Sequence, residues 1–191
     1  MSTGINEIGE QLRAKIAGKF QITSILAGFS FTTISIQLTF LFQPMTPHFL
    51  PHSFAGMFSS LVLYCWGLYR LDGLTMPKRF WTKADIQNIP APPGDVSWDL
   101  TDDNLWALKN RMVFYWMRFT IVAVVLTVLA LLLMMAPDAP RPTDGTNAVS
   151  RSFFWTCGGI VFGFLYCGVW YVVERWKEKN KKFGTLLRFV D

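Results

Sequence analysis

The residues with the clearest chemical pattern in this sequence are small and polar, and they recur every three or four positions within one apolar stretch. They are Gln21, Ser24, Gly28, Thr32, Ser35 and Thr39. On an α-helix this spacing places hydroxyl and amide groups on one face, which we expect to turn away from lipid. Such a stripe either lines a pore, where several copies present polar rings to hydrated ions, or packs closely against another helix. Both interpretations stay open from the sequence alone.

The elements that must position this stripe are apolar stretches long enough to cross a bilayer, which takes roughly 20 residues. Four stretches meet that length and contain one charged residue, Arg118: residues 20–42, 49–69, 112–136 and 153–173. The chain has 191 residues, of which 51% are hydrophobic, and the connections are too short to form a separate soluble core. We therefore predict an all-α protein, a single polytopic membrane domain built as a four-transmembrane-helix bundle.

The distribution of basic residues predicts the orientation of these spans. Of the 18 Lys and Arg residues, only Arg141 and Arg151 fall in the two loops that we assign to the outer side. Basic residues concentrate in three other segments, which we predict to be cytoplasmic: an amphipathic helix at 5–19, a loop at 70–111 and a basic tail at 174–191. Both termini are then cytoplasmic, in a bacterial-type inner membrane or a plasma membrane. The charge is explained by topology and membrane lipid, so we expect no nucleic-acid partner.

Several kinds of chemistry find no support in the sequence. No Asp or Glu occurs inside the four stretches, which argues against transport coupled to protons or sodium. The two histidines, His48 and His52, have the four-residue spacing of helical metal ligands, but Pro47 and Pro51 argue against a regular helix across both. We expect no metal site, no cofactor, no catalytic residues and no enzymatic activity.

Two further features of the spans have simple structural interpretations. Gly159 and Gly163 form a small-xxx-small pair, which permits close helix contact, and we predict that they are helix-packing residues. Arg118 lies about two turns inside the third span, from where its side chain can reach back to the inner interface. A buried partner or an anion contact is the alternative for this arginine.

The segment from Thr23 to Leu38 resembles the first span of the Orai family of store-operated calcium channels, in which Gly28 and Phe29 match a glycine-aromatic gate region. The plan of four spans with a basic extension of the first helix is also similar. The resemblance implies a ring of first helices around a pore, with these residues facing the axis: Gln21, Ile25, Phe29, Thr32 and Ile36. Where that family carries its selectivity-filter glutamate, this chain has Ile36 and Gln37, so we do not expect calcium selectivity.

These observations predict a homo-oligomeric, channel-like or pore-forming membrane protein with the first span at the axis. The pore-lining candidates are Gln21, Ser24, Ile25, Gly28, Phe29, Thr32, Ser35, Ile36 and Thr39. The alternative is a non-catalytic subunit, scaffold or membrane effector that packs against other membrane or cytoplasmic proteins. Self-assembly into a closed ring separates the two, because a subunit should purify as a monomer or with foreign chains.

Overall fold

The structure, a computed structural model, describes residues 2–41, 45–46, 49–75, 102–135, 141–142 and 145–180. Its helices are α1 (Ser2–Phe40), α2 (Leu50–Thr75), α3 (Asp102–Tyr115), α4 (Val122–Met135) and α5 (Gly145–Asn180). A π-helical segment, Trp116–Ile121, joins α3 to α4 without a break, so residues 102–135 form one composite helix. Two-residue strands, β1 (Met45–Thr46) and β2 (Arg141–Pro142), complete the elements. The prediction of an all-helical protein is confirmed in this general form.

Helix α1 joins the predicted amphipathic segment and the first predicted span into one element. Its 39 residues extend about 58 Å at 1.5 Å per residue, well beyond the ~30 Å of a hydrocarbon core. Leu12 and Ile16 are buried against the bundle, whereas the side chains of residues 2–10 lie outside the described part. Helix α1 is therefore long enough to cross a membrane and still extend beyond it on one side.

Three helical segments are long and apolar enough to cross a membrane: Gln11–Phe40, Lys109–Met135 and Val149–Glu174. Helix α2 has sufficient length, with 26 residues, but is not among them. It packs against α1, α4 and α5, so its side chains meet protein on several sides, and Ser53, Ser59 and Ser60 are buried there. A helix packed in this way can bury serines that hydrogen-bond within the bundle.

Helix α2 also approaches its neighbours closely. A Cβ added at Gly56 would lie 3.0 Å from Ala130 Cβ, and one added at Gly67 would lie 3.1 Å from Phe119 Cβ. Both contacts join α2 to the composite helix. The two glycines therefore allow α2 to lie close to the composite helix at two levels, one in α4 and one in the π-helical segment.

The two ends of the bundle differ in character. At one end β1 pairs with β2 in antiparallel fashion, with Met45 opposite Pro142 and Thr46 opposite Arg141. This pair joins the connection after α1 to the connection after α4. At the other end Arg70 of α2 forms an ion pair with Glu174 of α5. That end carries the basic flanks of the sequence, and we call it the basic end.

Candidate functional site

The nine predicted pore-lining residues all lie on the exposed side of α1 in the single chain. Ile25 is 71% exposed, and an added Cβ at Gly28 would meet nothing within 4 Å. The buried side of the same helix carries Thr23, Ser30 and Gln37 instead. Ser30 and Thr39 are nine residues apart, about two and a half turns, so the two sets occupy opposite faces. The stripe thus points away from its own bundle.

Three of the four hydroxyl groups of the stripe, all but that of Ser24, are hydrogen-bonded within α1. Thr32 donates to the carbonyl oxygen of Gly28 at 3.0 Å, Ser35 to that of Phe31 at 3.1 Å, and Thr39 to that of Ile36 at 2.7 Å. Each hydroxyl oxygen keeps its acceptor lone pairs for the outside, because its proton is already used. At these three positions the exposed face therefore offers hydroxyl acceptors, which suit cations or water, while the hydroxyl donors are already used.

The buried face of α1 forms a ladder of polar contacts with the composite helix, which we call the polar seam. Thr23 pairs with Thr120 at 3.1 Å, Ser30 with Thr127 at 3.4 Å, and Gln37 Nε2 with Met134 Sδ at 3.0 Å. In each pair the residues are 97 positions apart, and Lys19, over the ring of Trp116, follows the same offset. Because contacting residues keep one constant offset, the two helices run in the same direction. Successive contacts are seven residues apart on each helix, about two turns, so they all lie along one line of contact.

Helix α2 completes the polar seam with a second set of hydrogen bonds. Tyr64 Oη lies 3.4 Å from Thr127 Oγ1. Gln37 donates from Nε2 to Ser53 Oγ at 2.7 Å, and Ser53 donates in turn to the carbonyl oxygen of Ala130 at 2.7 Å. These contacts hold three helices in one register. Apart from Gln37 Oε1, which is buried without a hydrogen-bond partner, the polar side chains of the seam are hydrogen-bonded within the bundle.

Gly159 and Gly163 lie directly against α2. A Cβ at Gly159 would come within 2.8 Å of Ala55 Cα, and one at Gly163 within 2.9 Å of Val62 Cβ. The close approach allows the Ser59 hydroxyl to share its proton between the carbonyl oxygens of Gly159, at 2.8 Å, and Ala55, at 2.7 Å. This is the geometry that the small-xxx-small spacing predicts.

A charged cluster at the basic end joins α2, α3 and α5. Arg70 Nη2 donates to Glu174 Oε2 at 2.6 Å and to Tyr115 Oη at 2.8 Å, and Tyr115 donates to Glu174 Oε1 at 2.6 Å. The side chains of Arg70 and Glu174 are only 16% and 17% exposed. The apolar segment of α5 extends to Glu174, so a carboxylate lies at the very end of a spanning stretch. This cluster is not predicted from the sequence, because the predicted spans end just before Arg70 and Glu174.

Arg118 and His52 occupy distinct surroundings. The Arg118 guanidinium lies 4.1 Å from the ring centroid of Trp170, on the exposed surface. His52 lies in the first turn of α2, with its ring centroid 4.2 Å from that of Trp155. His48 lies outside the described residues. Within the described ranges, no group of three or more His, Cys, Asp or Glu side chains is placed to hold a metal ion.

Comparison of the chain with protein families, with curated proteins and with solved structures finds no match. The resemblance of the first span to Orai channels therefore stays a prediction from the residues. The class that the structure itself defines is an all-helical protein with membrane-spanning character.

Proposed function

We propose that this chain is a four-span membrane protein that assembles with copies of itself into a channel-like ring, with α1 nearest the axis. The observation that carries the proposal is the division of α1 into two polar faces. One face is used by the polar seam, and the opposite face is exposed with its hydroxyl acceptors directed outward. A second polar face on the outermost side of a bundle is more useful beside water than in lipid, because its oxygen acceptors can then bind water or cations.

The parallel register supports four crossings. Because the contacting residues of α1 and the composite helix are always 97 positions apart, the two helices run in the same direction. The chain must then return across the membrane between them, and α2 is the described helix in that interval. Pairing of β1 with β2 places both intervening loops at one end, as alternating crossings require. Both termini then lie at the basic end, which the positive-inside rule assigns to the cytoplasm.

The chemistry of the exposed face sets the expected selectivity. The stripe carries hydroxyl and amide groups but no carboxylate. Apolar side chains border it, with Phe29 52% and Ile36 55% exposed. Hydroxyl rings coordinate cations weakly, and apolar rings close a pore by excluding water. We expect weak discrimination among ions and a constriction at Ile25, Phe29 or Ile36.

The alternative is a non-catalytic subunit that uses the same face to bind a different membrane helix. The internal hydrogen bonds of Thr32, Ser35 and Thr39 favour it, because a helix with satisfied donors can meet an apolar partner at little cost. A Cβ added at Gly28 would meet nothing within 4 Å, which leaves room for a close approach. In this arrangement the stripe contacts the partner helix and not water.

Cysteine substitution separates the two functions. In a channel, cysteines at Ser24, Thr32 and Thr39 react with a membrane-impermeant thiol reagent in vesicles, and the modification changes ion flux. A cysteine at Ser30, in the polar seam, is the matched control and stays protected. Cys65 and Cys157 are exposed and must first be replaced by alanine.

The mass of the purified protein in detergent provides the second measurement. A closed ring of one chain supports the channel, whereas a monomer whose stripe cysteines are as protected as the Ser30 control contradicts it and favours the subunit. Absence of flux from pure, ring-forming protein would also contradict the channel.

A further inference from the structure

An exposed arginine in the apolar part of the composite helix forms no ion pair with an acidic side chain among the described residues. Arg118 lies in the π-helical segment, within the spanning stretch Lys109–Met135. In the described part of the chain its guanidinium makes one contact, over the face of Trp170 at 4.1 Å. A bare guanidinium facing lipid is unfavourable, so this position calls for an anion or for water.

The geometry around Arg118 fixes the guanidinium in place and leaves its donors available. The cation–π contact with Trp170 holds the guanidinium without a hydrogen bond from its N–H groups to any described residue. Those N–H groups match the oxygens of a phosphate bidentately. The backbone is held as well, since Tyr166 Oη donates to the carbonyl oxygen of Arg118 at 3.0 Å. The arginine is thus positioned before any ligand arrives.

The level of Arg118 along the bundle places it near lipid headgroups. Tyr115, about one turn earlier, belongs to the charged cluster with Arg70 and Glu174 at the basic end. Helical side chains lean toward the N-terminus of their helix, which for the composite helix is that same end. The guanidinium can therefore reach the headgroup layer while the aliphatic part of the side chain stays in the apolar region.

Aromatic and aliphatic side chains beside Arg118 provide a surface for acyl chains. Trp170 contacts Phe114 with ring centroids 5.6 Å apart, and Tyr166 lies next along α5. Met117 is 53% exposed on the composite helix. We propose that this surface binds an anionic phospholipid of the leaflet at the basic end, whose phosphate is held by Arg118 and whose acyl chains lie along the aromatic wall.

Native mass spectrometry of the full-length protein tests this, with phosphatidylglycerol and phosphatidylcholine as probes. We expect phosphatidylglycerol to be retained in preference, and Arg118→Gln to weaken its binding roughly tenfold, as loss of a bidentate charged contact does. Lys109→Gln is the matched control, because Lys109 is another exposed cation of the same helix, and it should change binding less than about twofold.

A second variant and a competition with inorganic phosphate test the proposal further. If Arg118→Gln does not fold, Arg118→Lys keeps the charge but loses the planar fork, and should weaken binding roughly threefold. Inorganic phosphate at millimolar concentration should fail to displace the lipid. Equal retention by wild type and variant, an equal loss in Lys109→Gln, no preference for the anionic lipid, or displacement by phosphate would each overturn the proposal.

Discussion

Replacing Gly159 with alanine should separate α2 from α5, which approach each other more closely than any other helices in the described part of the chain. The added Cβ would lie 2.8 Å from Ala55 Cα and 2.9 Å from Ala55 C, which are backbone atoms that cannot rotate away. Relief requires α5 to move outward by about 1 Å to restore ordinary contact at ~3.7 Å. That movement lengthens the hydrogen bond from Ser59 to the carbonyl oxygen of Gly159, now 2.8 Å.

The expected loss follows from three terms. Overpacking costs about 1–3 kcal/mol, and a weakened interhelical hydrogen bond in a membrane protein costs ~0.6 kcal/mol. Alanine returns up to about 1 kcal/mol because it forms helices better than glycine. The free energy of unfolding should therefore fall by about 1–3 kcal/mol.

Denaturation of the purified protein by SDS in mixed micelles, followed by circular dichroism, measures this change. Gly158→Ala and Gly168→Ala are matched controls, because a Cβ at either position would meet nothing within 4 Å. Both should leave stability unchanged or raise it slightly. If Gly159→Ala proved as stable as Gly158→Ala, the close contact between α2 and α5 would be refuted.

Two more substitutions probe the polar contacts by the same unfolding measurement. Glu174→Leu should lower the free energy of unfolding by about 3 kcal/mol, because it removes the carboxylate that accepts from both Arg70 and Tyr115 at a largely shielded position. The double variant with Arg70→Met should recover most of that loss, and a single variant of unchanged stability would argue against the ion pair. Gln37→Leu should change stability by less than ~1 kcal/mol, because Gln37 Oε1 is already buried without a partner and Ser53 keeps its bond to the Ala130 carbonyl. A loss above ~2 kcal/mol there would show that Gln37 is essential to the polar seam.

The helical class and its apolar segments could be predicted from the sequence, because both depend on composition and length. Which face of α1 packs inside the bundle, and which face is exposed, could not be predicted from the sequence. Hydroxyl residues occur on both faces, and only the partner helix decides which face is buried. A signal was present nonetheless: Thr23 and Ser30 repeat the seven-residue spacing of Thr120 and Thr127, at one constant offset.

The charged cluster was missed for a different reason. Span prediction treats charged residues as boundaries, so Arg70 and Glu174 were assigned to the aqueous flanks of separate spans. Their pairing depends on α2 and α5 ending at one level, which is a property of the assembled bundle. Tyr115, an ordinary interfacial tyrosine by sequence, acquires its role only there.

The polar side chains that α2 buries have a consequence for biogenesis. Ser53, Ser59 and Ser60 hydrogen-bond inside the bundle, so α2 is more stable beside a partner helix than alone in lipid. Helix α1 is synthesised first, and Gln37 can form its hydrogen bond with Ser53 early, because the two residues are only 16 positions apart. The two helices can therefore enter the bilayer together as a hairpin, with the polar groups of the later helix already shielded by the earlier one.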